Sequence, residues 1–275
     1  RIKSKYDWDY YYYGNASPRR PGWYTFDHRP RFNNNYIGLR NRMAILSEAY
    51  AYDTFEDRVT STLWFVEEIL TFAQENAAEI REIVEAADAE PLVDLATRAT
   101  FEQSDEEVTI LMGEVDEERH PQTGEPILRR REVSNPVSMY EYGTFAATET
   151  ESAPDAYYIL PEAADAIERL IAHGIRTEPA PEGTQVRVEE FLIDSTSVAA
   201  RPFQGRNERT LFGAWETGQQ VVPEGTIAVP MDQPLARLAF TLLEARSDDG
   251  FANWAILDES IEEGRYPVWR VPPGS

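Results

Sequence analysis

The stretch NYIGLRNRMAILSEAY, residues 35–50, gives the main indication of the fold in this sequence. Its run Met43-Ala44-Ile45-Leu46 is apolar throughout, which is typical of a strand buried in a parallel sheet. Glu48 follows this run, and ligand sites of open α/β sheets lie at the carboxyl ends of strands. Since an unpaired buried carboxylate is costly, two interpretations of Glu48 stay open: an ion pair with Arg40 or Arg42, or a general base.

On the carboxyl side of this stretch, residues 55–87 have the pattern of long helices. Apolar residues recur at steps of four and three from Val59 to Leu70, which places them on one helical face. Thr54 or Asp53 is expected to cap the start of the helix. On the amino side, residues 1–35 are rich in aromatic and turn residues, and we expect an ordered loop packed by its aromatic rings.

Beyond Pro91 the pattern changes to short runs of β-branched and aromatic residues separated by turn residues. The runs predict strands at Leu95–Phe101, Val108–Glu114, Ile127–Val133, Tyr157–Leu160, Val186–Ile193, Arg209–Trp215, Thr226–Val229 and Trp269–Val271. Two helices, 161–173 and 234–246, interrupt them, and Gly174 is placed as the residue that follows the first. The sequence therefore predicts an α+β fold with one domain over residues 1–90 and an antiparallel β-rich domain over residues 91–275.

Composition excludes several classes of function. The net charge is −23, from 49 acidic and 26 basic residues, and a field this negative repels nucleic acid. No window approaches 18 uninterrupted apolar residues, so the sequence predicts no membrane-spanning helix. Cysteine is absent, which excludes disulfides, a thiolate nucleophile and Cys-ligated zinc.

The sequence offers few candidate metal ligands. Its three histidines, His28, His120 and His173, are far apart, and none is followed at a helical step by Glu or another His. Too few imidazoles converge for a catalytic zinc, so we expect no metal site in this chain. A GxSxG elbow and a Gly-rich phosphate loop are also missing from the sequence.

Three segments resemble the zinc carboxypeptidase superfamily, the carboxypeptidase A-like metallopeptidases. They are Gly22–Asp27, Asn35–Arg42 and Ile45–Tyr50, with weaker similarity at Pro223–Pro230 and Gln233–Leu238. The likeness is greatest to large secreted bacterial members that have an extra C-terminal β domain. It implies that residues 1–90 are the C-terminal part of the peptidase α/β domain, that residues 91–275 are an accessory domain, and that the protein is periplasmic or secreted.

The same resemblance implies roles for individual residues. Glu48 matches the glutamate that closes the peptidase domain on a late strand, polarises the zinc-bound water and passes its proton to the leaving amine. Tyr36 or Tyr24 matches the tyrosine that closes over the substrate. Arg40 and Arg42 are the candidates for substrate binding.

The sequence departs from this family in its metal ligands. The HxxE motif and the third histidine ligand, which precede the glutamate in the family, are absent, so zinc belongs to the intact family and not to this chain. We therefore expect the chain to be inactive alone and to need the missing N-terminal half, or another protein chain, docking at residues 1–50. The alternative is a non-catalytic structural or interaction subunit of a larger extracytoplasmic complex derived from such a peptidase; a sugar-binding β module is a third possibility.

Overall fold

The computed structural model describes residues 1–274 and shows an α+β fold. The helices within these residues are α1 (Ile2–Tyr6), α2 (Asn33–Leu39), α3 (Phe55–Glu75), α4 (Ala77–Ala89), α5 (Ala164–His173) and α6 (Ala236–Leu243). The strands are β1 (Asn15–Ser17), β2 (Arg20–Tyr24), β3 (Asp94–Glu102), β4 (Glu107–Arg119), β5 (Pro126–Tyr142), β6 (Thr144–Ser152), β7 (Ala156–Ile159), β8 (Glu178–Pro179), β9 (Gln185–Val198), β10 (Arg209–Val221), β11 (Ile227–Pro230) and β12 (Val268–Val271).

The chain divides into two compact units, and each is built from separate stretches of sequence. The first unit contains Arg1–Asp27, Ile45–Glu82 and Phe101–Ala146, and the second contains His28–Ala44, Ile83–Thr100 and Ala147–Ser275. The chain passes from one unit to the other within α4, β3 and β6, and β3 pairs with β6. The assignment of residues 1–90 and 91–275 to separate domains stays a prediction.

In the first unit, the N-terminal aromatic segment packs on one face of α3. Tyr6 stacks on Trp64 with ring centroids 4.6 Å apart, and Tyr10 stacks on Phe65 at 5.0 Å. Thr54 caps the helix, as predicted, since its side chain accepts a hydrogen bond from the backbone N–H of Asp57 at 3.1 Å. The predicted aromatic packing is therefore present, although the segment also forms α1, β1 and β2.

Glu68, on the covered face of α3, joins the same segment to the helix by ion pairs. Its carboxylate accepts hydrogen bonds from Lys5 at 2.7 Å and from Arg1 at 2.8 Å, and its side chain is only 6% exposed. These hydrogen bonds, from Lys5 first and Arg1 second, lower the pKa of Glu68 to about 2. The charge of this carboxylate is therefore compensated inside the unit.

The first unit also contains a four-stranded sheet with the order β1-β2-β5-β4. Most of this sheet is the long antiparallel hairpin of β4 and β5, whose register runs from Glu107 opposite Tyr140 to Arg119 opposite Pro126. Nearly all of its side chains are partly or fully exposed. The sheet therefore encloses very little of a core.

The second unit has a six-stranded sheet with the order β10-β9-β12-β7-β11-β8. Successive residues of β7 point to opposite faces: Tyr157 and Ile159 belong to the main core, and Tyr158 to a smaller cluster with Trp269. Helices α5 and α6 contribute their apolar faces to the main core, including Leu170 and Leu238. The chain therefore buries its apolar side chains mainly here.

Two glycines of the second unit are required by geometry. Gly174 follows α5 with φ 79°, and its N–H donates to the carbonyl of Ile171, so it is the C′ residue that the sequence predicts. Gly213 lies at the β-bulge of β10, where a Cβ atom would be 1.9 Å from the carbonyl oxygen of Leu192. A larger residue at Gly213 would force the hairpin of β9 and β10 apart.

The predicted strand Met43–Leu46 is wrong. These residues form neither strand nor helix, and Met43, Ile45 and Leu46 are each more than half exposed. A continuous apolar run forms a buried strand only when neighbouring strands exist on both sides, and the described residues provide none for it. The helix predicted over 55–87 is divided at Asn76 into α3 and α4, and the sequence pattern also missed α2 and β6.

Candidate functional site

Glu48 lies in an open groove of the first unit. The groove has a volume of about 590 Å³ and is lined by Ser47, Glu48 and Ala49 on one side and by Phe55, Arg58, Val59, Thr62 and Leu63 of α3 on the other. Glu48 is exposed and has no ion pair within its unit. Its carboxylate is therefore available to react with, or bind, a molecule that enters the groove.

Arg58 is the functional candidate that the sequence did not indicate. It lies in the same groove as Glu48, on the first turns of α3, and its guanidinium has no hydrogen bond or ion pair among residues 1–274. Because Arg58 falls within a regular helical pattern, no sequence signal distinguished it from a solvated surface charge. Arg58 is the one cationic side chain among the residues that line the groove.

Two of the predicted site residues, Tyr36 and Arg40, come together in the second unit. The guanidinium of Arg40 donates to the hydroxyl of Tyr36 at 3.1 Å and to the backbone carbonyl of His173 at 2.7 Å. The same hydroxyl lies 2.8 Å from Nδ1 of His173. Burial, with the nearby charges of Arg40 and Arg169, lowers the pKa of His173, so the imidazole is neutral at pH 7.

The other predicted site residues lie apart from this cluster. Arg42 forms an ion pair with Asp88 at 2.8 Å, within the second unit. Tyr24 belongs to the first unit, where its ring stacks on Tyr142 at 4.0 Å and the guanidinium of Arg20 lies 3.5 Å from its centroid. Arg40 and Arg42 thus both donate to partners within the second unit.

The histidines do not converge on a metal site. His28 contacts the carboxylate of Asp248 at 2.8 Å, and His173 is bonded to Tyr36. His120 accepts hydrogen bonds from two backbone N–H groups of its own turn, the shorter at 3.1 Å from Thr123. Within residues 1–274, no group of three or more His, Cys, Asp or Glu side chains is placed to hold a metal ion. The residues of this chain therefore do not fit the catalytic zinc of the family that it resembles.

Helices of the described residues include none that is both long and apolar enough to cross a bilayer. The longest, α3, has charged residues in its first turn and again at Glu67, Glu68 and Glu75.

Comparison with known proteins gives a distant similarity to fungal carboxypeptidases. The chain is 25% identical to Carboxypeptidase 2 of Trichophyton tonsurans and 24% identical to that of Trichophyton equinum, in each case over 88% of this chain and 43% of the relative. A shorter match, 27% identical over 49% of this chain, is found with Carboxypeptidase 2 of Trichophyton rubrum. No family model and no solved structure matches the chain. The chain thus spans less than half the length of these relatives, and its relationship to carboxypeptidases is a distant one.

Proposed function

We propose that this chain supplies the general-base glutamate and a β-rich accessory domain of a metallocarboxypeptidase, and that it does not hydrolyse peptides by itself. The observation that supports this most is Glu48, an exposed carboxylate in an open groove with no ion pair in its unit. The similarity to Carboxypeptidase 2 over 88% of the chain supports the reaction class. What distinguishes Glu48 from other exposed carboxylates such as Glu67 is its place in the groove.

The role proposed for Glu48 is proton transfer. A carboxylate can take a proton from the attacking water and pass it to the leaving amine, provided that another group polarises the water or the peptide carbonyl. Within residues 1–274, the donor set for a catalytic metal is missing. The polarising group would therefore have to come from outside residues 1–274, either from the N-terminal half of such a peptidase or from another protein chain, and without it Glu48 has nothing to activate.

Substrate binding is proposed for residues of the second unit. Tyr36 and Arg40 are already hydrogen-bonded to each other, and an arginine is suited to the terminal carboxylate of a peptide. Arg42 and Tyr24 are the alternatives, and both would have to leave the contacts described above. Placement in the periplasm or outside the cell remains part of this proposal, since carboxypeptidases of the resembled family are secreted.

A second candidate function is a non-catalytic interaction subunit of an extracytoplasmic complex. Exposed apolar side chains on α3 favour it, because soluble proteins rarely leave a long apolar stripe uncovered. In this case Glu48 would have no catalytic role, and the chain would serve only as a structural partner.

The two functions are separated by substituting Glu48 in the metal-containing natural protein. Glu48→Gln should lower kcat for release of C-terminal amino acids by about 10²-fold or more, with the fold unchanged by circular dichroism. Glu67→Gln, at an exposed position of α3, is the matched control and should leave turnover unchanged. Full turnover of the Glu48 variant would remove this residue from the mechanism.

A further inference from the structure

The second unit holds the carboxyl group of Glu244 entirely within its core. Glu244 is 0% exposed and is the C-cap residue of α6, where the carbonyl end of a helix disfavours a negative charge. The hydroxyl of Tyr157 donates to Oε1 at 2.5 Å, and Oε2 has no hydrogen-bond partner among residues 1–274. Exclusion from water, the helix end and the lack of a donor at Oε2 all favour the neutral acid over the anion.

The guanidinium of Arg270 lies beside this carboxyl but is bound to other groups. Its Nη1 donates to Oε2 of Glu151 at 3.2 Å, and its Nη2 donates to the backbone carbonyl of Ser152. Its Nε lies 3.4 Å from Oε2 of Glu189 and 3.6 Å from Oε1 of Glu244, and it forms no hydrogen bond within the described part of the chain. The charge of Arg270 is therefore compensated without Glu244, and one of its donors is unused.

The groups that Arg270 binds join the end of β6 to β12. Glu151 and Ser152 are the last two residues of β6, which forms a two-stranded sheet with β3. The first residues of β6 belong to the first unit, since the chain passes from one unit to the other within this strand. A change in the contacts of Arg270 therefore acts on a strand that continues from the second unit into the first.

We propose that Glu244 is a proton-binding site that controls how firmly Arg270 holds β6. With the proton bound, the guanidinium stays on Glu151 and Ser152. When the proton is released to water, the buried anion requires a further donor, and the unused Nε–H of Arg270 is 3.6 Å away. A turn of the guanidinium toward Glu244 draws its other donors away from β6. Neither step depends on the catalytic role proposed for Glu48.

The charges that face Glu244 place this change near neutral pH. Burial raises the pKa of Glu244 to about 7, against the attraction of Arg270 and the hydrogen bond from Tyr157 and with the repulsion of Glu151 on β6 and Glu189 on β9. The acid form therefore predominates below about pH 7 and the anion above it. Protonation that alters the partners of a buried arginine is a local change of charge with an effect on a whole strand.

Two tyrosines and a second arginine complete the surroundings of Glu244. Burial raises the pKa of Tyr157 well above 10 and also raises the pKa of Tyr266, so both phenols stay neutral where Glu244 titrates. Arg246, which follows α6, is bound to Glu149 at 2.7 Å and lies 3.9 Å from Glu151. Because Arg246 keeps its contacts with β6, the release of Arg270 should loosen the end of this strand without detaching it.

NMR of the unmodified chain tests whether the two groups act together. The side-chain carboxyl carbon of Glu244 and the Nε nitrogen of Arg270 should shift with one common midpoint near pH 7, because the charge of one sets the hydrogen bond of the other. Glu244→Gln keeps a neutral side chain of similar size, and the shift at Arg270 should then be absent. Separate midpoints, or a signal of Arg270 that does not change with pH, would contradict the proposal.

Hydrogen exchange measures the hold on β6. After correction for the chemical rate, the amides of residues 147–152 should exchange at least about fivefold faster at about pH 8.5 than at about pH 5.5. In Glu244→Gln, exchange should stay slow at both pH values. Glu151→Gln, which removes a carboxylate from Arg270, should exchange fast at both. The amides of β10, at the edge of the six-stranded sheet, are the internal control and should show no change.

Two results of the exchange experiment would overturn the proposal. Exchange of β6 that is independent of pH, although Glu244 titrates, would leave a buried acid with no control over the strand. A pH effect that persists in Glu244→Gln would assign the control to another group. If a variant does not fold by circular dichroism, the NMR midpoints and the exchange of β6 in the unmodified chain decide the question.

Discussion

The two units differ sharply in what they bury. In the second unit, side chains such as Leu170, Leu238 and Phe240 are 0–1% exposed, and every buried hydrophobic residue of the described chain except Ile110 belongs to this unit. In the first unit, the buried residues are Ser61, Glu68 and Ile110, of which only Ile110 is apolar. The apolar residues of the first unit are instead largely exposed. The second unit thus has a closed apolar core, whereas the first unit has a single buried apolar side chain, Ile110.

The largest expected difference between the units is in the free energy of unfolding that is lost when a leucine is replaced by alanine. Leu238→Ala should lower the free energy of unfolding by about 2–5 kcal/mol, because it leaves a cavity in a closed core. Leu63→Ala, at an exposed position of α3, should change the free energy of unfolding by less than about 0.5 kcal/mol. Urea denaturation of both variants measures this difference. Equal losses would mean that the first unit has a core after all.

A second difference is in how the stability of each unit depends on pH. In the second unit this dependence comes from the fully buried Glu244. Tyr157 donates to its Oε1 at 2.5 Å, the Nε of Arg270 lies 3.6 Å from the same oxygen, and Oε2 has no hydrogen-bond partner among residues 1–274. Burial raises the pKa of Glu244 to about 7, against the attraction of Arg270 and with the repulsion of Glu151 and Glu189. The folded state therefore holds this proton more tightly than the unfolded state, whose carboxyl has its ordinary pKa near 4.5.

The sign of the resulting pH dependence follows directly. The contribution of Glu244 to stability is full below pH 4.5, decreases as pH rises to about 7, and stays constant above that value. The total change is on the order of 3 kcal/mol. Glu244→Gln, which resembles the neutral acid, should remove this slope from the unfolding of the second unit. A slope that persists in the variant would assign the effect to another group.

The smallest expected effect is the pH dependence due to Glu68 in the first unit, where stability falls in acid, opposite to the effect of Glu244. The pKa of Glu68 is lowered to about 2 by Lys5 and Arg1, so its ion pairs support the packing of the N-terminal segment above pH 4.5. That support is lost as pH falls toward 2. Hydrogen exchange of the amides of α3 should therefore increase in acid, and Glu68→Gln should produce the same increase at neutral pH. Protection of α3 that is unaffected by the substitution would contradict this.

Local patterns in the sequence predicted many elements of both units. The eight predicted strands all correspond to observed strands, Thr54 caps the start of α3, and Gly174 follows the end of α5, because capping and strand alternation depend on neighbouring residues. The run Met43–Leu46 failed because a buried strand depends on partners distant in sequence. Strand β6 was missed because its Thr- and Glu-rich sequence has no apolar alternation strong enough to predict it.

The candidate site was only partly accessible to the same reasoning. Glu48 is a candidate from the sequence because it follows a run predicted as a buried strand and matches the glutamate of the resembled family, whereas its position in a groove is a property of the folded first unit. Arg42, a candidate for substrate binding that stays a prediction, pairs with Asp88 of α4, a contact that no local pattern in the sequence indicates. Arg58 was overlooked because an arginine in a helix has the appearance of an ordinary surface charge. Roles that depend on long-range partners could not be predicted from sequence alone.

The most direct test of the account is metal binding and peptide hydrolysis by the bare chain of 275 residues. Isothermal titration with zinc, followed by an assay for C-terminal amino acid release, should show no stoichiometric site and no turnover, because residues 1–274 lack a metal-binding group around Glu48. One zinc bound per chain, with release of C-terminal amino acids that Glu48→Gln abolishes, would contradict the claim that Glu48 needs a polarising group from outside residues 1–274.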